Sequence, residues 1–320
     1  MSNTFKNRVF GCAIIKSINS NYNADFSHQP RTLPNGTVYA TDKALKYTVR
    51  NYLVKIYSQL TQTNALLEKE KKETVFFFQR PRYEGVDIKV HSMETNYELL
   101  FGTKSEKGKK LPVLANLLKC IDIRLFGATY TGGVNVSIHG AVQITHGVNR
   151  FGENYIYTEQ IKAPQNPDIT AEMTTLGTQS KLQEGHYVHH FSINPKNIEE
   201  CSRKVNSEGI TNDDILKLKE GLSRGASYYD SSSKAGTENE LLLWVQLKDG
   251  SKIILPSFVE LVDIVITKEK QNEREIDLNK IKELLNKPHI KNEIEKVELY
   301  YNTVTTKVIN APDMAQQIEL

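Results

Sequence analysis

The 320-residue chain has little of what would commit it to several common chemistries. Its three cysteines, Cys12, Cys120 and Cys201, stand far apart and form no Cys-x-x-Cys pair. That excludes a disulfide-stapled scaffold and a thiolate zinc domain, and it fits a reducing, cytoplasmic setting. No apolar run approaches the length that spans a bilayer. Lys6 and Arg8 ahead of residues 9–15 imitate the start of a signal peptide. That run is short, contains Gly11, ends at Lys16 and lacks a small-residue cleavage site, so it reads as a buried strand. Neither a phosphate-loop nor a dinucleotide glycine pattern occurs, which removes the usual nucleotide-dependent enzymes.

Charge of one sign is also scarce overall, with a formal net charge of +3. Its distribution is more telling. Residues 1–60 carry eight Lys or Arg against two acids, whereas residues 251–320 carry ten basic against twelve acidic side chains. The N-terminal part is thus the electrostatic footprint for a polyanion. Within it, residues 19–50 read NSNYNADFSHQPRTLPNGTVYATDKALKYTVR, an Asn-rich loop that runs into a helix predicted over residues 42–60. Leu45, Val49, Tyr52, Leu53, Ile56 and Leu60 form its apolar stripe, and Lys43, Lys46 and Arg50 recur at i, i+3 and i+7 on another face. Thr41 is placed to cap the helix, whose unpaired first-turn N–H groups add to the attraction for phosphate.

At 25% charged and 39% apolar, the composition is that of a globular protein able to bury a substantial core. The predicted order is a strand over residues 8–18, the helix, a strand-like segment over 74–79, and a helix opened by Pro112. Residues 62–110 look inserted, with KSEKGKK as an exposed basic loop. One strand with a wet face is predicted from Val134 to Thr145. Residues 150–185 lack periodicity and carry Pro164 and Pro167, a pattern shared by disordered segments and functional arms. A helix capped by Thr211, the loop SSSKAG and a strand at residues 241–245 complete the order. Strand, helix, strands, helix, strand fits an α+β, ferredoxin-like or RRM-type sheet. The helical DLNKIKELLNK lies in a C-terminal extension whose role is not legible.

Several blocks then resemble one family. NSNYNADF, PRTLPNGT and TDKALKYTVRNYL, followed by DIRLFGATYTGGVNVSIHGAVQITHGVN, HYVHHFSINP and LKEGLSRGASYYDSSSKAGTENELLLWVQ, are similar to the CRISPR Cascade backbone subunit of subtype I-B. That subunit belongs to the Cas-seven family of the RAMP superfamily. The family's Asn-Pro-Asn-Gly-Asp loop reads Asn21, Tyr22, Asn23, Ala24, Asp25 here, so its polar character carries over and its precise backbone path does not.

The resemblance implies an RRM-like palm over residues 1–258, with a finger insertion at 62–118 and a thumb at 150–185, and a C-terminal extension at 259–320 packed on the palm. It implies a non-catalytic protein without cofactor or metal that polymerises head to tail along CRISPR RNA. Its partners would be other Cascade subunits and, through guide pairing, target DNA. The RNA-binding residues implied are Asn19, Asn21, Asn23, Arg31, Thr41, Lys43, Lys46 and Arg50, with Met173 as a thumb wedge. Ser233 and Lys234, in a Gly- and Ser-flanked loop, would cradle a further phosphate. The competing reading is a RAMP endoribonuclease using Asp25, or His28, His186, His189 or His190 as acid and base. On a strand, His189 projects away from His186 and His190, which disfavours a clustered site.

Overall fold

The computed structural model describes residues 3–57, 73–78, 81–84, 87–162, 176–267 and 273–320. It opens with β1 (Val9–Ser20), β2 (Tyr39–Ala40) and α1 (Asp42–Tyr57). A small hairpin of β3 (Pro81–Glu84) and β4 (Asp87–Val90) precedes α2 (Met93–Phe101), α3 (Lys110–Leu117) and α4 (Ile121–Phe126). Next come β5 (Gly127–Thr131), β6 (Asn135–His139), β7 (Val142–Ile144), β8 (Gly147–Asn149), β9 (Ile156–Lys162) and the long β10 (Leu176–Ile193). Helices α5 (Lys196–Lys204) and α6 (Asn212–Arg224) lead to β11 (Thr237–Leu247). The last part holds β12 (Asp263–Thr267), β13 (Glu273–Asp277), α7 (Asn279–Leu285) and α8 (Pro288–Lys291). It ends with β14 (Ile294–Tyr301), β15 (Lys307–Ile309) and β16 (Ala315–Glu319).

The main sheet runs β16-β14-β11-β1-β10-β8-β2, with β7 and β9 also paired to β10. Its centre, β11-β1-β10, is antiparallel. Residues 9–15 are buried without exception, because both faces of β1 are covered. A two-sided burial requires an unbroken apolar run where a half-exposed strand would alternate. Ala13, Ile15, Phe191, Leu242 and Trp244 face α1 and α6, meeting Leu45, Val49, Leu53, Leu218 and Leu222 in one core. Phe10, Cys12, Ile14, Leu243 and Val245 face the other way, onto Phe258, Val262, Leu278, Ile281 and Leu285. Residues 259–320 thus close the second face and add β14 and β16 to the sheet. Gly11 leaves no room for a side chain: a Cβ there would lie 2.2 Å from the Leu243 carbonyl and 2.4 Å from the Phe191 ring.

Two charged residues of α4 tie the helical layer together. The fully buried Asp122 carboxylate accepts from Phe76 N (2.8 Å), Phe77 N (3.0 Å) and Arg50 Nε (3.0 Å). Arg124 forks onto Asp214 at 3.0 and 2.6 Å and donates to the carbonyls of Leu118 and Lys119. Asp214 in turn completes the capping box of α6 with Thr211, at the cap expected from sequence. On the other face, His186 Nδ1 contacts Glu240 at 2.6 Å and Nε2 lies 3.3 Å from Glu184. Arg274 of β13 holds Glu184 with two 2.7 Å bonds, clamping the C-terminal layer to β10. Burial opposes charging of His186, but Glu240 and Glu184 outweigh it and raise its pKa to about 9.

Several expectations need correction. Of the segment expected as strand over 74–79, the described residues 74–78 form no strand: Thr74 makes an isolated bridge to Cys120, and Asp122 draws the N–H groups of Phe76 and Phe77 where the chain bends; Gln79 lies outside the described residues. The strand expected from Val134 to Thr145 breaks at Gly140. A Cβ at Gly140 would sit 2.2 Å from Gly127 N, so the chain turns there; β6 pairs with β5, while β7 joins β10. Ile56, expected in the apolar stripe, is 45% exposed, and Leu60 lies outside the described residues. The aperiodic 150–185 segment contains a β9–β10 ribbon, paired from Leu176↔Lys162 to Leu182↔Ile156. Its strands carry mostly polar side chains on both sides, so no alternation marks them. Residues 163–175, including Met173, lie outside the described residues.

Replacing Asp122 by Ala strands Arg50 and two backbone donors, and a loss of about 3–5 kcal/mol is expected by urea denaturation. A loss below 1 kcal/mol would remove Asp122 from the framework. The raised His186 pKa contributes stability that is full below the unfolded value of 6.5 and disappears as pH rises through about 9. Melting temperature should therefore fall across that window, and His186→Gln should flatten the fall; identical slopes would refute the clamp.

Candidate functional site

Between the loop after β1, the start of α1 and the segment before β11 lies a cleft of about 410 Å³. Asn23, Arg31, Thr41, Lys43 and Lys234 all line it, so five of the residues singled out from sequence meet in one place. Tyr47, Tyr229 and Tyr22 complete much of the wall, and no carboxylate is among the lining residues. The loop that brings Arg31 here is shaped by its own polar groups. Asp25 Oδ1 accepts from Ser27 N (2.8 Å) and Gln29 N (2.9 Å), closing a tight turn, and Arg31 Nε donates to the Ala24 carbonyl. Asn23 Oδ1 accepts both the backbone N–H (2.9 Å) and the hydroxyl (3.0 Å) of Thr41, fixing the loop to the head of α1.

Lys234 enters from the opposite wall. Its ammonium donates to the carbonyls of Asn21 (2.7 Å) and Tyr22 (2.8 Å), and burial lowers its pKa to about 8. Ser233 contributes through its backbone: its carbonyl accepts from Asn21 N at 2.8 Å. The side chain of Lys43 is 81% exposed beside Asp42. Burial works against ionisation of Asp42, but Lys43 and Lys46 outweigh it and hold its pKa below the ordinary value.

The remaining expected contacts are arranged differently. Lys46 is 13% exposed and folds back onto Asp42 at 3.0 Å, the i,i+4 partner already visible in sequence. Arg50 is spent on Asp122 and lies over the Phe126 and Phe77 rings, so the basic row of α1 does not present three free cations. Asn21 is 2% exposed and inward-facing, donating to the carbonyls of His28 and Ser180. Exposed Asn19 adopts a left-handed φ of 47° and accepts from the Tyr157 hydroxyl at 3.0 Å. Asn19 and Asn21 thereby sew the loop to the β9–β10 ribbon.

Sequence reasoning missed the aromatic wall. Tyr47 lies beside the Tyr229 ring at 5.2 Å and the Phe78 ring at 5.9 Å, and burial together with Tyr229 raises its pKa to about 12. The signal was present, because Tyr47 follows Lys43 by one helical turn on the same face. Cations, amide groups and rings in one acid-free cleft suit a phosphorylated, ring-bearing ligand.

The groups considered for cleavage chemistry do not assemble. Asp25 shapes its turn, and His28 is an exposed left-handed turn residue at φ 62°. His189 Nδ1 lies 3.0 Å from the Thr145 carbonyl, whereas His190 Nδ1 accepts from Phe258 N on the opposite face, as alternation on a strand requires. Burial depresses the pKa of both to about 4. Among the described residues, no group of three or more His, Cys, Asp or Glu side chains is placed to hold a metal ion. Among the same residues, no helix is long and apolar enough to cross a membrane.

No curated protein matches this chain. Among solved structures, a chain described as "CRISPR RNA-guided surveillance complex, pre-nicking" superposes with a TM-score of 0.56 at 14% identity, covering 98% of this chain and 96% of that one. At that identity the likeness shows a shared fold. A second, described as "CRISPR RNA-guided surveillance complex", has a TM-score of 0.47 at 13% identity, with 96% of each chain covered. A family model described as CRISPR-associated protein Cas7 matches residues 7–283, and by that match over most of its length the chain belongs to this family.

Proposed function

We propose that this protein is a non-catalytic CRISPR RNA-binding backbone subunit of a type I-B Cascade surveillance complex. The observation that carries the proposal is the acid-free cleft in which Asn23, Arg31, Thr41, Lys43 and Lys234 meet. Contacts of this kind grip phosphate and sugar whatever the sequence, which leaves sequence choice to the guide and its pairing with target DNA. The strand order β11-β1-β10-β8, with α1 and α6 on one face, supports reading residues 1–258 as a ferredoxin-like, RRM-type palm. Residues 62–118 are then the finger insertion and 150–185 the thumb, with the β9–β10 ribbon at its root. Residues 259–320 form the extension packed on the palm. Copies associate head to tail in the cytoplasm, since a contact repeated along a strand is heterologous and non-closing, and other Cascade subunits cap the array.

Arg31→Ala with Lys43→Ala should weaken binding of unrelated single-stranded RNAs alike. Each lost phosphate contact should lower the slope of log affinity against log salt by about 0.7. An unchanged slope in the folded variant, measured by filter binding, would move the RNA surface elsewhere. Lys46 and Arg50 are unsuitable for this test because both hold the fold.

Shortening the ribbon should separate assembly from affinity. Leu182 is fully buried, so the excision must stop short of it; removing residues 159–179 and bridging with a Gly-Ser turn keeps the root. Nuclease footprints of the assembled wild type should show regularly interrupted protection, and the shortened protein should lose the regularity while retaining binding. A periodic footprint from the shortened protein would place the thumb elsewhere.

A further inference from the structure

The cleft contains a half-buried ammonium with no carboxylate among the lining residues. An ammonium has three donors, and two of those of Lys234 are committed to the carbonyls of Asn21 and Tyr22. Among the described residues no partner takes the third. The charged and titratable groups facing it are Arg31 and Tyr22 from the loop, Lys43 and Tyr47 from α1, and Tyr229 from its own segment. Asp42, the nearby acid of α1, is occupied by Lys43 and Lys46. The two carbonyls offset the burial of this charge only in part, and a cleft lined by three cations calls for an anion.

We propose that the cleft seats a phosphate of the bound strand on the third N–H of Lys234, and that binding there takes up a proton. The proposal rests on the RNA-binding reading above and names what one wall of that site does. A neutral amine keeps two N–H groups and can still serve both carbonyls, so the proton lost from the free protein is the one that would face the ligand. In the free protein that loss is centred near pH 8. A phosphate within hydrogen-bonding reach favours the charged form and draws the proton back. Affinity should then decline as pH rises through that region, in a way that fixed Arg31 charge cannot produce. Lys234 so becomes both a strut under the loop and a contact; the contact was expected from sequence, and the strut was not.

Calorimetric titration of the full chain with oligouridine at pH 8, in Tris and in HEPES, counts protons through the different ionisation heats of the two buffers. Wild type should take up about half a proton per site, because the free lysine is about half charged there. Lys234→Arg, always charged, should bind with that uptake abolished, and it serves as the blank for every other titrating group. Lys234→Met should bind about tenfold or more weakly, the scale of a lost charged hydrogen bond. If Lys234→Met does not fold, the Arg variant alone decides the matter. Equal proton uptake by wild type and Lys234→Arg would overturn this inference while leaving RNA binding intact. Absence of RNA binding by wild type would overturn the proposed function itself.

Discussion

The helical side of this protein depends on satisfying a buried carboxylate. Asp122 has no solvent to share its charge with, and it gains three donors from two segments that are distant in sequence. Because an unpaired buried charge is intolerable, α1, the 73–78 segment and α4 can pack only in the arrangement that brings Arg50, Phe76 N and Phe77 N to one point. Two residues further on, Arg124 imposes the same condition on α6 through Asp214. Apolar packing supplies most of the favourable free energy, but these two ion pairs select which packing is allowed.

That selectivity explains what was legible in sequence and what was not. β1 could be recognised from an unbroken apolar run, and α6 from Thr211 followed by Asp214, since both signals are local. The ion pair of Arg50 was not legible because its partner lies 72 positions away, and spacing along a helix shows which side chains share a face without showing what meets them. Lys46 was different: Asp42 stood one helical turn before it, and the pair was open to inspection. The β9–β10 ribbon left no periodic trace, because a ribbon wet on both sides needs no alternation. Of the candidate site, the polar loop, Lys43 and Lys234 were each singled out by residue type, but their meeting in one cleft was not legible. The aromatic wall required knowing that α1 and the 226–237 segment face each other.

The site is assembled mostly by backbone carbonyls and amides. Asn21, Tyr22 and Ser233 all contribute main-chain groups, and Asn23 and Asp25 spend their side chains on shaping the loop. Side chains that look like ligand contacts in sequence can therefore be scaffolding. The extra C-terminal layer bears on the same point. By burying Phe10, Ile14 and Leu243 it takes one face of the sheet out of contact with solvent.

β10 is one strand of eighteen residues, registered against β1 at the molecular centre and against β9 in the ribbon. At about 3.3 Å per residue it reaches roughly 60 Å. In mechanical terms it is a cantilever clamped at its root: the half paired with β1 cannot rotate without breaking the central sheet, whereas the outer half is tied only to β9, so flexure must accumulate outward of Leu182. A load applied near the tip would be delivered as torque to the β1–β10 ladder, and Asn21, bonded to Ser180 at the point of clamping, would be the first group in the loop to feel it.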